Sequence, residues 1–171
     1  MKKIIGLVLV SVLFVTGCGE TEEEKRFRAE LMDKALNDDT RKLGDAFLAE
    51  NAKRDGVITT KSGMQYEVVK AGQGRSPRIL DTVIVHYEGK RVDDVVFDSS
   101  YAREKPSEFP LKAVIRGWRE ALPKMKEGGV WNIYLPAELA YGATSPNETI
   151  PANSALVFKI ELLEVKDTVA E

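Results

Sequence analysis

From Val57 onward the apolar residues of this chain recur at every second position, a spacing that suits strands and is wrong for helices. Met64, Tyr66 and Val68 alternate with Gln65, Glu67 and Val69, and Val83, Val85 and Tyr87 alternate with Thr82, Ile84 and His86. Near the end Leu156, Phe158, Ile160 and Leu162 oppose Val157, Lys159, Glu161 and Leu163. Such alternation predicts half-buried strands of an antiparallel sheet, one face covered and the other wetter. Ala71-Gly72-Gln73-Gly74 and Glu127-Gly128-Gly129 supply turn chemistry between them. One helix intervenes, with Val114, Ile115, Trp118 and Leu122 on a shared face, and Pro123 removes a donor and keeps it short. The fold class is therefore α+β, a curved antiparallel sheet wrapped on one short helix.

The N-terminal part reads differently. Glu20 to Arg54 is strongly charged, and Phe27, Leu31 and Ala35, then Leu43, Ala46 and Phe47, follow helical steps. Asn37-Asp38-Asp39-Thr40 breaks the pattern, with Asp39 or Thr40 placed to cap a second helix. Two short amphipathic helices, ending near Asp55-Gly56, are each too thin in apolar residues to stand alone. Residues 18–55 are thus a solvated spacer or a dimerisation arm. Residues 56–171 are expected to fold without them.

Before the arm, Lys2 and Lys3 precede a nearly all-apolar run, Ile4 to Val15, too short to span a bilayer comfortably but suited to a signal-peptide core. The run ends in Val15-Thr16-Gly17-Cys18, which resembles the lipobox of bacterial lipoproteins. That resemblance implies a leader over 1–17 and a lipid-modified Cys18 at the mature N-terminus. It also implies anchoring in the cell envelope, and Gly19 in place of Asp favours the outer membrane.

Several function classes are excluded by composition. A formal net charge of −2 and no Lys/Arg stripe leave no nucleic-acid footprint. One cysteine and one histidine cannot build a thiolate or imidazole metal cluster. There is no G-x-S-x-G and no phosphate-binding glycine loop. Asp93-Asp94 reads as solvated turn chemistry, and His86 as a strand residue with a local hydrogen bond.

What remains is aromatic density in segments expected to converge: Tyr87, Phe97, Trp118, Tyr141 and Phe158. Their local strings, Val85-His86-Tyr87-Glu88-Gly89, Phe97-Asp98-Ser99-Ser100, Val114-Ile115-Arg116-Gly117-Trp118, Ala140-Tyr141-Gly142 and Leu156-Val157-Phe158, occur in that order. Together they resemble the FKBP-type peptidyl-prolyl cis-trans isomerases over residues 57–166. The stretch from Phe47 through Gly63 and the string from Pro136 to Tyr141 further resemble the bacterial secreted branch, the Mip and FkpA type, whose N-terminal segment is helical and often dimeric.

The resemblance implies an FKBP-like fold, isomerisation of X-Pro bonds in proline-containing unfolded polypeptides, and neither cofactor nor metal. It implies a prolyl pocket floored by Trp118 and walled by Tyr87, Phe97, Val114, Ile115, Ile150 and Phe158. Asp98 and Arg103 form a polar pair at the rim, Asp98 near the substrate carbonyl. The Tyr141 hydroxyl and the Ile115 backbone N–H donate hydrogen bonds. The family often has another aromatic near Ser107, so that wall is either open or filled by Phe109. Asp94 stands where a glycine is common, and Thr149 where a second apolar residue is common. A binding module or chaperone using the same pocket without catalysis is the alternative.

Overall fold

The structure, a computed structural model, describes residues 21–36 and 38–167; the leader and Cys18 lie outside the described residues. Two helices come first, α1 (Glu22–Leu36) and α2 (Asp39–Asn51). Strands β1 (Val57–Thr59), β2 (Gln65–Lys70), β3 (Thr82–Arg91), β4 (Val96–Ser99) and β5 (Ser107–Pro110) follow. A single short helix, α3 (Arg116–Ala121), precedes β6 (Val130–Leu135) and β7 (Leu156–Lys166).

Strand β3 organises the sheet. It pairs with β7 from Thr82 opposite Lys166 to Arg91 opposite Leu156. Its other edge is shared, with β5 against residues 82–85 and β4 against residues 88–90. The antiparallel order is β1-β2-β6-β7-β3-β4, with β5 beside β3. This is the α+β architecture that the alternation predicts.

The inner face buries the alternating residues as expected. Val83, Val85, Tyr87, Leu156, Phe158, Ile160 and Leu162 join Trp118, Leu122 and Met125 in one apolar cluster beneath α3. Two local expectations are corrected. Val68, near the end of β2 and just before a register shift between Val68 and Lys70, is 42% exposed. Val114 and Ile115 are extended and precede the helix, and Leu122 already belongs to a following 3-10 turn, so the shared apolar face is built largely outside α3.

At the N-terminus, Thr21 and Glu24 form a reciprocal capping box: the Thr21 N–H donates to Glu24 Oε2 at 2.8 Å and the Glu24 N–H to Thr21 Oγ1 at 3.2 Å. Helix α2 is capped by Asp38, one residue before the expected cap, through the Thr40 N–H at 2.8 Å. Helix α2 is not solvated on all sides. It lies on the outer face of the sheet, where Leu48 packs with Tyr134, Ala155 and Val157, and Phe47 and Val92 close the edge. The Asn51 amide donates to Gln65 Oε1 at 2.8 Å and the Gln65 amide to the Leu48 carbonyl at 2.8 Å, both residues being buried. Arg54 donates to the Tyr134 hydroxyl, which donates to Glu67. A boundary at residues 55/56 therefore cuts through a packed contact.

Candidate active site

Five aromatic rings meet on the inner face near the end of β3. Trp118 stands edge-to-face with Tyr87 (centroids 5.2 Å), Phe109 (5.8 Å) and Phe158 (5.5 Å), and Phe97 meets Phe158 at 5.7 Å. Tilted rings let the positive edge of one sit on the negative face of the next, so the cluster keeps a fixed shape. Above it opens a cavity of about 300 Å³ lined by these five with Asp98, Ala113, Val114, Ile115 and Tyr141. The wall near Ser107 is filled by Phe109.

Gly89 makes this convergence possible. A Cβ there would lie 2.7 Å from Phe97 and 2.8 Å from Phe158, so any side chain would push both rings away from β3. The turn that delivers β4 places Asp94 at φ 64°, a left-handed conformation that Asp tolerates better than most residues. Lys90 holds the Asp94 carboxylate at 2.5 Å. The turn thus closes without the family's usual glycine.

The rim is polar on one side. Asp98 accepts hydrogen bonds from the Tyr87 hydroxyl and from Arg103. Arg103 also donates to the Tyr87 oxygen at 3.1 Å and to Ser107 Oγ at 3.3 Å, with its guanidinium 5.7 Å from the Tyr87 ring centroid. Burial pushes the Asp98 carboxyl up, but the Tyr87 and Arg103 hydrogen bonds outweigh it and hold it below the usual range. The carboxylate is charged at neutral pH. Burial, and then the Asp98 charge, push the Tyr141 hydroxyl up, so it keeps its proton.

Two donors at the rim are uncommitted. Tyr141 is 39% exposed, and among the described residues its hydroxyl has no hydrogen-bond partner. The Ile115 N–H likewise meets no acceptor among the described residues. Both residues line the cavity.

Most of the expected residues come together. Tyr87, Phe97, Asp98, Val114, Ile115, Trp118, Tyr141 and Phe158 line the cavity, and Arg103 pairs with Asp98 without lining it. Ile150 is buried in the same apolar cluster, only 2% exposed, and is not a lining residue. Ala113 lines the cavity and was missed, since an isolated alanine carries no periodic signal. His86 stays out of the site: it stacks on Tyr101 at 4.7 Å and its Nδ1 is hydrogen-bonded to Ser100 Oγ at 2.9 Å. That serine accepts the Tyr87 N–H at 2.7 Å and so fixes the strand that carries Tyr87. Among the described residues no three His, Cys, Asp or Glu side chains converge to hold a metal ion.

A sheet wrapped on one helix, with an aromatic cavity and an Asp–Arg–Tyr rim, is the architecture of proline-rotating isomerases. The chain belongs to the FKBP-type peptidyl-prolyl cis-trans isomerase family, whose model matches residues 73–163. A second model, the domain amino-terminal to FKBP-type isomerases, matches residues 18–68. The peptidyl-prolyl cis-trans isomerase Mip of Coxiella burnetii is 51% identical over 121 residues, covering 71% of this chain and 53% of that protein. The outer membrane protein MIP of Legionella longbeachae is 40% identical over 157 residues, covering 85% and 67%. The crystal structure of FkpA from Escherichia coli superposes with a TM-score of 0.74 at 41% identity, covering 85% of this chain and 68% of that one. The chain spans little more than half the length of several curated relatives it matches.

Proposed function

We propose that this protein accelerates cis–trans rotation about X-Pro bonds in unfolded polypeptides. The observation that carries the reading is the cavity itself: five interlocked rings beneath a rim holding one carboxylate and two uncommitted donors.

Rotating an amide costs about 18–20 kcal/mol because resonance stabilises the planar form. The two X-Pro isomers differ by only about 0.5–1 kcal/mol, so the barrier is the obstacle. Water favours the charge-separated planar form, and an aromatic cavity that strips water from a bound prolyl amide raises that form relative to the twisted one. Trp118, Phe158, Tyr87, Phe97, Val114 and Ile115 do this work. Twisting moves charge between nitrogen, carbon and oxygen. A fixed Asp98 carboxylate and the Tyr141 and Ile115 donors lower the barrier insofar as they fit the twisted peptide better than the planar one. Arg103 keeps Asp98 ionised and oriented.

The anchor belongs to the same proposal. The N-terminal family model begins at residue 18, where a mature chain starting at Cys18 would begin. One relative is named an outer membrane protein. Acyl chains on Cys18, at about 0.8 kcal/mol per buried methylene, would hold the protein to an envelope membrane facing the periplasm, with the outer membrane favoured. Phe27 and Leu31, 62% and 50% exposed on α1, would let the arm pair with a second copy.

The test is an exchange assay on a short X-Pro peptide. The parent should accelerate isomerisation, Asp98→Ala should lose more than Tyr141→Phe, and the latter should cost about 1–3 kcal/mol or less. A parent that binds the peptide without accelerating rotation would instead be a binding module. For the anchor, Cys18→Ser should abolish detergent partitioning, and unchanged partitioning would remove the lipid.

A further inference from the structure

Tyr141 sits at one end of a long loop that returns to the sheet at Leu156, and the loop closes where the Asn153 N–H donates to the Gly142 carbonyl at 2.8 Å. Each stem of this loop is fastened to α2. On the outgoing side, Glu138, three residues before Tyr141, pairs with Arg41 at 2.5 Å. On the returning side, the Asn153 amide donates to Asp38 Oδ2 at 3.1 Å, the same carboxylate that caps α2. Two residues on, Ala155 lies against Gly44, where an added Cβ would come within 2.8 Å of the Ala155 methyl and 3.3 Å of its backbone nitrogen. Asp38, Arg41 and Gly44 are three apart in sequence, so a single helical face makes all three contacts.

None of these contacts is made by the floor residues Tyr87, Trp118 and Phe158 on β3, α3 and β7; the residues that make them flank the rim loop. We propose that Asp38, Arg41 and Gly44 of α2 are positioning residues that hold the Tyr141 loop in its working geometry, so the pre-domain arm sets the pocket's rim. Catalysis then depends on α2 being docked, and any pull on the arm that lifts α2 is felt at Tyr141. The catalytic side of this inference rests on the isomerase reading. The mechanical side does not.

The experiment uses the full chain purified in mild detergent, with two independent perturbations. Arg41→Glu places a third acid beside Glu138 and Asp45, which lies 3.6 Å from Arg41, and leaves the core untouched. Gly44→Leu drives a wedge between α2 and Ala155. Amide hydrogen exchange across residues 139–155 is read against exchange in β3 and β7, and kcat and KM are measured on a short X-Pro peptide. Arg41→Glu should speed exchange in 139–155 alone and lower kcat about threefold to fivefold with KM nearly unchanged, the scale a partly exposed ion pair supports. The charge-swapped pair Arg41→Glu with Glu138→Arg should return both readings to within about twofold of the parent. Gly44→Leu should give the larger effect, about tenfold or more. Parent-like exchange and kcat in Arg41→Glu would overturn the inference even if Gly44→Leu fails to fold, as would a double swap that restores neither. A parent inactive on the peptide would sink the isomerase reading instead, and the exchange measurements would still decide whether α2 holds the loop.

Discussion

The two faces of the sheet are covered by different means. On the inner face α3, one and a half turns long, covers a layer dominated by apolar side chains, in which Ile133, Leu135, Ile160 and Leu162 are all fully buried. On the outer face α2 is more than twice as long yet buries only Gly44, Leu48 and Asn51. Hydrogen bonds at its end and just after it, Asn51 to Gln65 and Arg54 to Tyr134, join its apolar contacts. Apolar burial is non-directional and tolerates many arrangements, whereas an amide pair out of water is satisfied in one register. The inner face therefore supplies the bulk of the stability, and the outer face fixes where one helix sits.

The comparison can be broken by three measurements. The largest effect should come from Trp118→Ala, which empties the floor of the cavity. Truncating a buried aromatic costs about 3–5 kcal/mol, readable by urea unfolding, and peptide isomerisation should fall with it. A loss below about 1 kcal/mol would mean that the rings are not the keystone of the inner face.

Next is Asn51→Ala on the outer face. It strands the buried Gln65 side chain without its donor, at a cost of about 1–3 kcal/mol. If Asn51→Ala destabilises more than Trp118→Ala, the ranking of the two faces is reversed. If it costs nothing, α2 is not docked as described.

The smallest effect concerns Asp98 and acid. Its folded-state pKa lies below the ordinary value because the Tyr87 and Arg103 hydrogen bonds outweigh burial. The stabilisation is therefore complete above the unfolded value of about 3.9 and is lost as pH falls through the folded value. Asp98→Asn should unfold over a shallower acid limb below about pH 4, with little change near neutrality because the pair is partly exposed. Identical acid limbs in parent and variant would take Asp98 out of this account.

Much of the inner face was legible beforehand, for a physical reason: each strand residue on that face meets the same core, so burial repeats along the sequence with the period of the pleat. Val83, Val85 and Tyr87, or Phe158, Ile160 and Leu162, could be read directly. The outer face had no such repeat. Val157 was placed on the wetter side, yet it is only 8% exposed because α2, more than a hundred residues away in sequence, lies on it. Gln65 alternates with Met64 and Tyr66 in the sequence, yet it is buried, with Asn51 as its partner. The expectation that residues 56–171 fold unaided failed to foresee these contacts, and the docked α2 argues that such a fragment is weaker than the whole.

By itself the sequence determined the strands that became β2, β3 and β7 and one short helix, since periodicity is a property of neighbours along the chain, and its ordered local strings, through their resemblance to a family, implied most of the residues that line the cavity. Only the tertiary structure decided that Phe109 fills one wall, that Ile150 is buried in the core and does not line the cavity, and that Asp94 adopts the turn in place of glycine. It alone joined Asp38, Arg41 and Gly44 to the stems of the Tyr141 loop. Those outcomes depend on which distant groups come within a few ångströms of one another, and a contact between residues a hundred positions apart leaves no period to read.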